Sequence, residues 1–193
     1  MIEIKPIKTL ESKRLILRGF ENSDAESLYN TYGTDKEITK YMLWKNYETI
    51  EDAIKAIEFY KKTYNENSNY RQYAIILKST NELIGQISFT INTKHESSEL
   101  GYLIARKFQN NGYMSEAINR LIDYLTNELK CTRISAEVMT DNKACIKLLE
   151  KYGFKKEGTF LKKYNYRICH YQNRENIKNN HVYKHDYFKS SLL

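Results

Sequence analysis

Glu99 to Glu116, ELGYLIARKFQNNGYMSE, joins two different periodicities through one polar turn. Up to Ala105 the stretch reads as a buried strand. From Gly112 the period changes: Met114, Ala117, Ile118, Leu121, Ile122, Leu125 and Leu129 follow an i, i+3, i+4, i+7 stripe that only a helix gathers on one face. A strand that runs through a short turn straight into a long helix favours a phosphate site. The first N–H groups of the helix have no internal partner, its dipole favours an anion there, and Asn and Gly in the turn let the backbone come close. Neither G-x-G-x-x-G nor G-x-x-x-x-G-K-[ST] occurs, so dinucleotide and nucleoside-triphosphate fingerprints have no support.

Working outward, Gln72–Lys78, Leu83–Ile91 and Ser98–Ala105 read as an antiparallel meander, with Ser79–Glu82 as the first turn. In its middle strand Leu83, Gly85, Ile87, Phe89 and Ile91 are expected on one face, and Gln86, Ser88 and Thr90 on the other. Upstream, Arg14–Arg18 reads as a first strand, and Asn22-Ser23-Asp24 caps a helix through AESLYNTY. Thr49–Tyr64 is a second helix, with acidic residues in its first turn. Downstream, Arg133–Thr140 alternates as a strand. Asn142–Tyr152 is helical with Ala144, Cys145, Leu148, Leu149 and Tyr152 inward, and Gly153 ends it as a C′ glycine. The tail from Phe154 holds short strand-like pieces, and Gln172–Asn180 reads as a loop. A meander followed by strand, helix, strand, helix implies an α/β sheet with helices on its faces.

Length and composition set the frame. The 193 residues, 41% of them hydrophobic, suit one domain over 1–193 that can bury a core without disulfides or metal. No apolar run reaches the about eighteen residues that cross a bilayer, and the N-terminus lacks a secretory apolar segment, so a cytoplasmic protein without membrane contact is expected. Cys131, Cys145 and Cys169 show no C-x-x-C spacing and the four histidines no zinc-ligand pattern, so free thiols and no metal are expected. The net charge of +7 favours acidic partners and disfavours a polycationic substrate, yet the lysines are spread along the chain. Without an RNP-like or clustered arginine pattern, nucleic acid is expected only through a ribosomal substrate.

Gln109-Asn110-Asn111-Gly112-Tyr113-Met114, followed by Ser115-Glu116-Ala117, resembles the acetyl-CoA motif Q/R-x-x-G-x-G/A of the GNAT superfamily of N-acetyltransferases. Within it the chain is similar to the branch of the ribosomal-protein N-terminal alanine acetyltransferases. The supporting pieces run in order from about Leu10 to Thr159: Leu15–Arg18, Tyr41–Trp44, Glu99–Tyr102, Asp141–Cys145 and Lys151–Gly158. The resemblance implies a mixed, mostly antiparallel central sheet flanked by helices on both faces, with acetyl-CoA as donor. It also implies direct attack by a primary amine in a ternary complex, and homodimers are common in the family. Three positions depart from the pattern. Asn110 replaces a frequent glycine, although Asn tolerates the left-handed conformation. Cys145 replaces a common serine. Leu149 stands where many members carry a tyrosine acid, which leaves the proton source for the departing thiolate open.

The resemblance implies roles as well. Backbone N–H groups around Leu103 and Ile104 hold pantetheine and thioester carbonyl, and those of Gln109, Asn110, Asn111, Gly112, Tyr113 and Met114 hold the pyrophosphate. Asn142 contacts the donor near the thioester, or caps the following helix, or does both. Glu99 is the first choice for general base, directly or through a water; otherwise it is an exposed cross-strand charge. Cys145 either protonates the thiolate or fills core space, the usual fate of a buried cysteine. Trp44 and Tyr41 line the amine pocket or pack a lid. Lys107, Lys143 and Lys147 meet phosphate or solvent. The acceptor expected first is a protein N-terminal α-amine, whose reference pKa of about 7.7–8.0 asks less of a base than the about 10.4 of lysine. The alternatives are a small-molecule amine (polyamine, antibiotic or amino sugar) and a non-catalytic CoA-binding module.

Overall fold

Alternating residues of the meander and the tail form one sheet in the structure, a computed structural model that describes residues 6–65, 68–163 and 166–173. Its eight strands among the described residues are β1 (Leu10–Glu11), β2 (Leu15–Gly19), β3 (Tyr70–Leu77), β4 (Glu82–Asn92), β5 (Ser97–Ile104), β6 (Arg133–Met139), β7 (Lys155–Lys163) and β8 (Tyr166–Asn173). They lie in the order β1-β2-β3-β4-β5-β6-β8-β7. Every neighbouring pair is antiparallel except β5–β6, which is parallel. The parallel pair needs a crossover, and the long helix of the opening stretch supplies it.

That helix, α4 (Tyr113–Asp123), continues as a π-helical turn over Tyr124–Glu128. Its stripe Met114, Ala117, Ile118, Leu121, Ile122 is buried against Leu15, Leu17, Ile75, Ile87 and Leu100 of the sheet. Each large aliphatic side chain removed from water there contributes about 1.5–3 kcal/mol. On the same face lies α5 (Lys143–Lys151), anchored by Leu149. Gly153 follows at φ 72°, the left-handed C′ position expected of it. On the other face, α1 (Ala25–Leu28), α2 (Lys36–Thr39) and α3 (Ile50–Asn65) pack Leu28, Ile38, Ala53 and Ile57 against Ala74, Ile76, Leu83 and Leu103. Helices on both faces of a mostly antiparallel sheet are the expected α/β architecture.

Three expectations change locally. Leu83 leaves the face of Ile87, Phe89 and Ile91 and joins the second core, because Ile75 pairs with Gly85 and Ile76 with Leu83, which makes Ile84 a bulge. The first helix starts one residue early: Glu21 caps a 3-10 turn over Asn22–Asp24, with Glu21 N donating to Asp24 Oδ2 at 2.8 Å. Asp24 is buried and takes the Arg18 guanidinium through both carboxylate oxygens, at 2.7 and 2.8 Å. Finally, Gln172 and Asn173 belong to β8 and not to a loop; the rest of that expected loop lies outside the described residues. No helix among the described residues is long and apolar enough to cross a membrane.

Candidate active site

The parallel ladder between β5 and β6 stops early. Its last pair is Leu100 with Ala136, although β5 runs on to Ile104 and β6 to Met139. Beyond that rung β5 pairs only with β4, and β6 only with β8. The two strands therefore splay, and the facing backbone groups of 101–104 and 137–139 are not paired with each other, although buried backbone polar groups demand partners. A ligand that enters the splay meets ready-made hydrogen-bonding edges. A groove of about 640 Å³ opens there, lined from β5 by Tyr102, Leu103 and Ile104 and from the following turn by Arg106 and Phe108.

Gln109, Asn110, Gly112, Tyr113, Met114 and Ser115 continue the groove to the N-terminus of α4. Asn110 has φ 62° and Gly112 φ 74°, so the loop turns twice through the left-handed region. Such turns gather successive N–H groups into an anion-binding concavity. The helical ladder begins with Glu116 N to Gly112 O at 3.0 Å, which leaves the amides of Tyr113, Met114 and Ser115 upstream of it, at the positive end of the dipole. Two carbonyls are tied back: Gln109 O accepts from Asn111 Nδ2 at 2.9 Å and Asn111 O from Arg14 Nη1 at 3.0 Å. In a trans peptide the next N–H points the opposite way, so the amides of Asn110 and Gly112 are turned from those tethers. The loop amides fit a pyrophosphate, and the groove continues from them along Tyr102, Leu103 and Ile104 of β5.

The third wall is α5. Asn142 Oδ1 accepts from Cys145 N at 3.1 Å, an N-cap, and Asn142 also lines the groove, so capping and site position coincide. Ala144 is exposed toward the groove, in place of the inward position expected of it, and Leu148 and Lys151 line it one and two turns on. Cys145 Sγ lies 3.1 Å from Tyr102 Oη. Burial pushes the Cys145 thiol up to about 11, against the lowering effect of the Tyr102 hydrogen bond, and burial also holds the Tyr102 hydroxyl well above its ordinary value. Both groups keep their protons at neutral pH. Leu149 is fully buried, so the tyrosine missing at that position has left a core residue behind.

The fourth wall comes from the opposite face. Asp35 caps α2 by accepting from Glu37 N at 3.0 Å and binds Arg106 Nε at 2.6 Å, which ties this helix to the turn after β5. Ile38, Lys40, Tyr41 and Met42 thereby reach the groove. Trp44 instead stacks on Tyr47 with centroids 5.0 Å apart and packs on the second core. Tyr102, Ile38, Met42, Leu148 and Lys151 were not expected at a site. The sequence signal was strongest for Asp35-Lys36-Glu37, an N-cap pattern.

Two expected site residues stand apart from the groove. Asn111 acts from behind the loop through its side chain. Glu99 is exposed, paired with Thr90 on β4 and Ser135 on β6, one rung before the splay. It shares a sheet face with Gly101 and Leu103 and begins a row that runs through Ser135 to Gln172 on β8. Gln172 is 3% exposed, and among the described residues neither atom of its amide has a hydrogen-bond partner. Lys107 is paired with Glu82 at 3.0 Å and Lys143 donates to Thr140 O, so neither is turned to the groove.

Comparison with known proteins agrees with this geometry. A family model described as an acetyltransferase (GNAT) domain matches residues 14–155. An uncharacterized N-acetyltransferase of Bacillus subtilis (strain 168), YoaA, is 40% identical over 158 residues, which cover 81% of this chain and 88% of that protein. The ribosomal protein uS5 alanine N-acetyltransferase of Escherichia coli (strain K12) is 26% identical over 167 residues, covering 79% and 81%. Among solved structures, the microcin C7 self-immunity acetyltransferase MccE, in complex with acetyl-CoA and AMP, superposes with a TM-score of 0.76 at 25% identity, covering 84% of this chain and 93% of that one. With the family model matching residues 14–155 and a relative 40% identical over 81% of the chain, the chain belongs to the GNAT family of N-acetyltransferases.

Proposed function

We propose that the protein transfers the acetyl group of acetyl-CoA to the α-amine of a protein N-terminus. The observation that carries the choice of acceptor is the net positive charge of the chain. At the groove Lys40 is paired with Glu37 and Arg106 with Asp35, so the excess positive charge belongs to the chain as a whole. A net charge of +7 attracts an anionic donor and repels a polycationic amine such as a polyamine. Similarity to the uS5 alanine acetyltransferase, distant as it is, points the same way.

Bound acetyl-CoA supplies an activated acyl carbon and a thiolate leaving group. In this reading the amides of Asn110 and of Gly112 to Met114 hold the pyrophosphate, and the β5 edge at Leu103 and Ile104 holds the pantetheine and orients the carbonyl. Asn142 keeps the start of α5 in place beside them. The amine arrives from the Glu99 face and loses its proton to the Glu99 carboxylate, directly or through one water. The Tyr102 hydroxyl and Cys145 thiol hold protons at the groove wall for the departing sulfur, the task left open by Leu149. Removing that hydroxyl in Tyr102→Phe is expected to lower kcat about tenfold, the loss of one transition-state hydrogen bond, while the Kd of CoA stays within twofold. An unchanged kcat would remove Tyr102 from the proton path.

The acceptor is tested by comparing kcat/KM for an alanine-starting peptide, spermidine and an amino sugar, with released thiol as the signal. The peptide is expected to exceed both small amines by about tenfold or more, the equivalent of about 1.4 kcal/mol in transition-state binding. If a small amine is the better acceptor, the enzyme serves small molecules, and the peptide reading is wrong.

A further inference from the structure

Arg14 stands at the head of β2, nearly a hundred residues before the phosphate loop, and four contacts converge on it. Its Nη1 donates to Asn111 O at 3.0 Å, its Nε to Glu116 Oε2 at 2.6 Å, and its backbone N to Glu116 Oε1 at 2.7 Å. The guanidinium carbon lies 4.4 Å from the centroid of the Tyr113 ring. Ser12 Oγ donates to Glu116 Oε1 at 2.8 Å and closes the cluster. Arg14 does not line the groove; it holds the loop from behind.

Two physical consequences follow. First, the planar peptide between Asn111 and Gly112 has its carbonyl fixed on the Arg14 side, so its N–H is fixed on the other side, where Gly112 lines the groove. Glycine at φ 74° has wide freedom, so without this tether the peptide plane can turn and present a carbonyl, a repulsive group, to a phosphate. Second, Glu116 puts a carboxylate in the first turn of α4, near an anion site. Burial raises its proton affinity, but the hydrogen bonds from Arg14 and Ser12 outweigh that and keep the carboxyl below its ordinary range, so it is charged at neutral pH. The guanidinium neutralises it. A lysine would keep the charge but not the planar fork that reaches Glu116 and Asn111 together.

We propose that Arg14 is a positioning residue for the donor's pyrophosphate: it sets the orientation of the Asn111–Gly112 peptide and cancels the Glu116 charge behind the loop. The inference rests on the acetyl-CoA reading of the groove but not on the acceptor. Its test is therefore a binding measurement, with calorimetric titration of CoA and of pantetheine, which lacks the pyrophosphate, into wild type, Arg14→Met, Arg14→Lys and Glu116→Gln.

Arg14→Met is expected to raise the Kd of CoA tenfold or more and to leave that of pantetheine within twofold. Arg14→Lys should fall between Arg14→Met and wild type, and it keeps the test open if Arg14→Met does not fold. Glu116→Gln, which removes the charge and spares the Arg14–Asn111 bond, is expected to cost less than threefold. A CoA affinity unchanged in both arginine variants overturns the proposal. Equal losses for CoA and pantetheine also overturn it, because they mean a general disturbance of the fold. Failure of wild type to bind CoA at all would instead refute the donor reading.

Discussion

Glu99→Gln is expected to lower turnover about 100- to 1,000-fold at neutral pH, the range of a lost general base, with CoA binding unchanged. The exchange is nearly isosteric, and Glu99 is exposed on β5 outside the groove, so neither the fold nor the donor slot should notice it. Its place motivates the prediction: it lies one rung before the last β5–β6 pair, on the face shared with Gly101 and Leu103. The neighbouring carboxylate of β6, Glu137, lies beyond the last β5–β6 pair and does not face it across the ladder. A pH profile separates base catalysis from a merely local change. The α-amine deprotonates by itself at about pH 7.7–8.0, so the deficit should narrow at about pH 9, where the neutral amine no longer needs a partner. Turnover within threefold of wild type at every pH would leave Glu99 as a cross-strand charge only.

Gly85→Ala carries the second large effect, for a reason of space. A Cβ at Gly85 would lie 2.5 Å from the carbonyl oxygen of Leu103 and 3.0 Å from Cα of Ile104. Both are backbone atoms of β5, so no side chain can swing aside, and the β4–β5 approach must widen at the Gly85–Ile104 pair. Overpacking of this kind costs about 2–3 kcal/mol, or a fall of about 5–10 °C in Tm for a chain of this size. The displaced residues are those whose backbone edge faces the splay, and the Kd of CoA should rise about tenfold besides. Gly158→Ala is the control: among the described residues nothing lies within 4 Å of the new methyl, and neither measure is expected to move. Equal behaviour of the two variants would contradict the close approach at Gly85.

Much of this was legible in the chain alone, and the reason is local. The stripe from Met114 to Leu129 and the turn Gln109–Gly112 state their own geometry, and Asn110 accepts the left-handed turn that a glycine would otherwise serve. The face of Leu83 was misread because a bulge reverses alternation without leaving a mark in residue type. Arg14 gave no signal as a site residue, since its partner atoms are a carbonyl 97 residues away and a carboxylate 102 residues away. Tyr102 was read correctly as strand, yet its hydroxyl meets Cys145 only because α5 returns over β5. Sequence shows which residues alternate, not what the opposite element brings to them. The pairing of Arg106 with Asp35, which ties the turn after β5 to α2, is likewise a product of assembly.

The most direct measurement gives the enzyme acetyl-CoA and one peptide that begins with alanine and carries an internal lysine, then locates the acetyl group by fragment masses while thiol is counted. The expected result is one thiol released per peptide modified, with the acetyl group on the α-amine. Acetylated lysine, or no modified peptide from an enzyme that turns over spermidine or an amino sugar, would contradict the account.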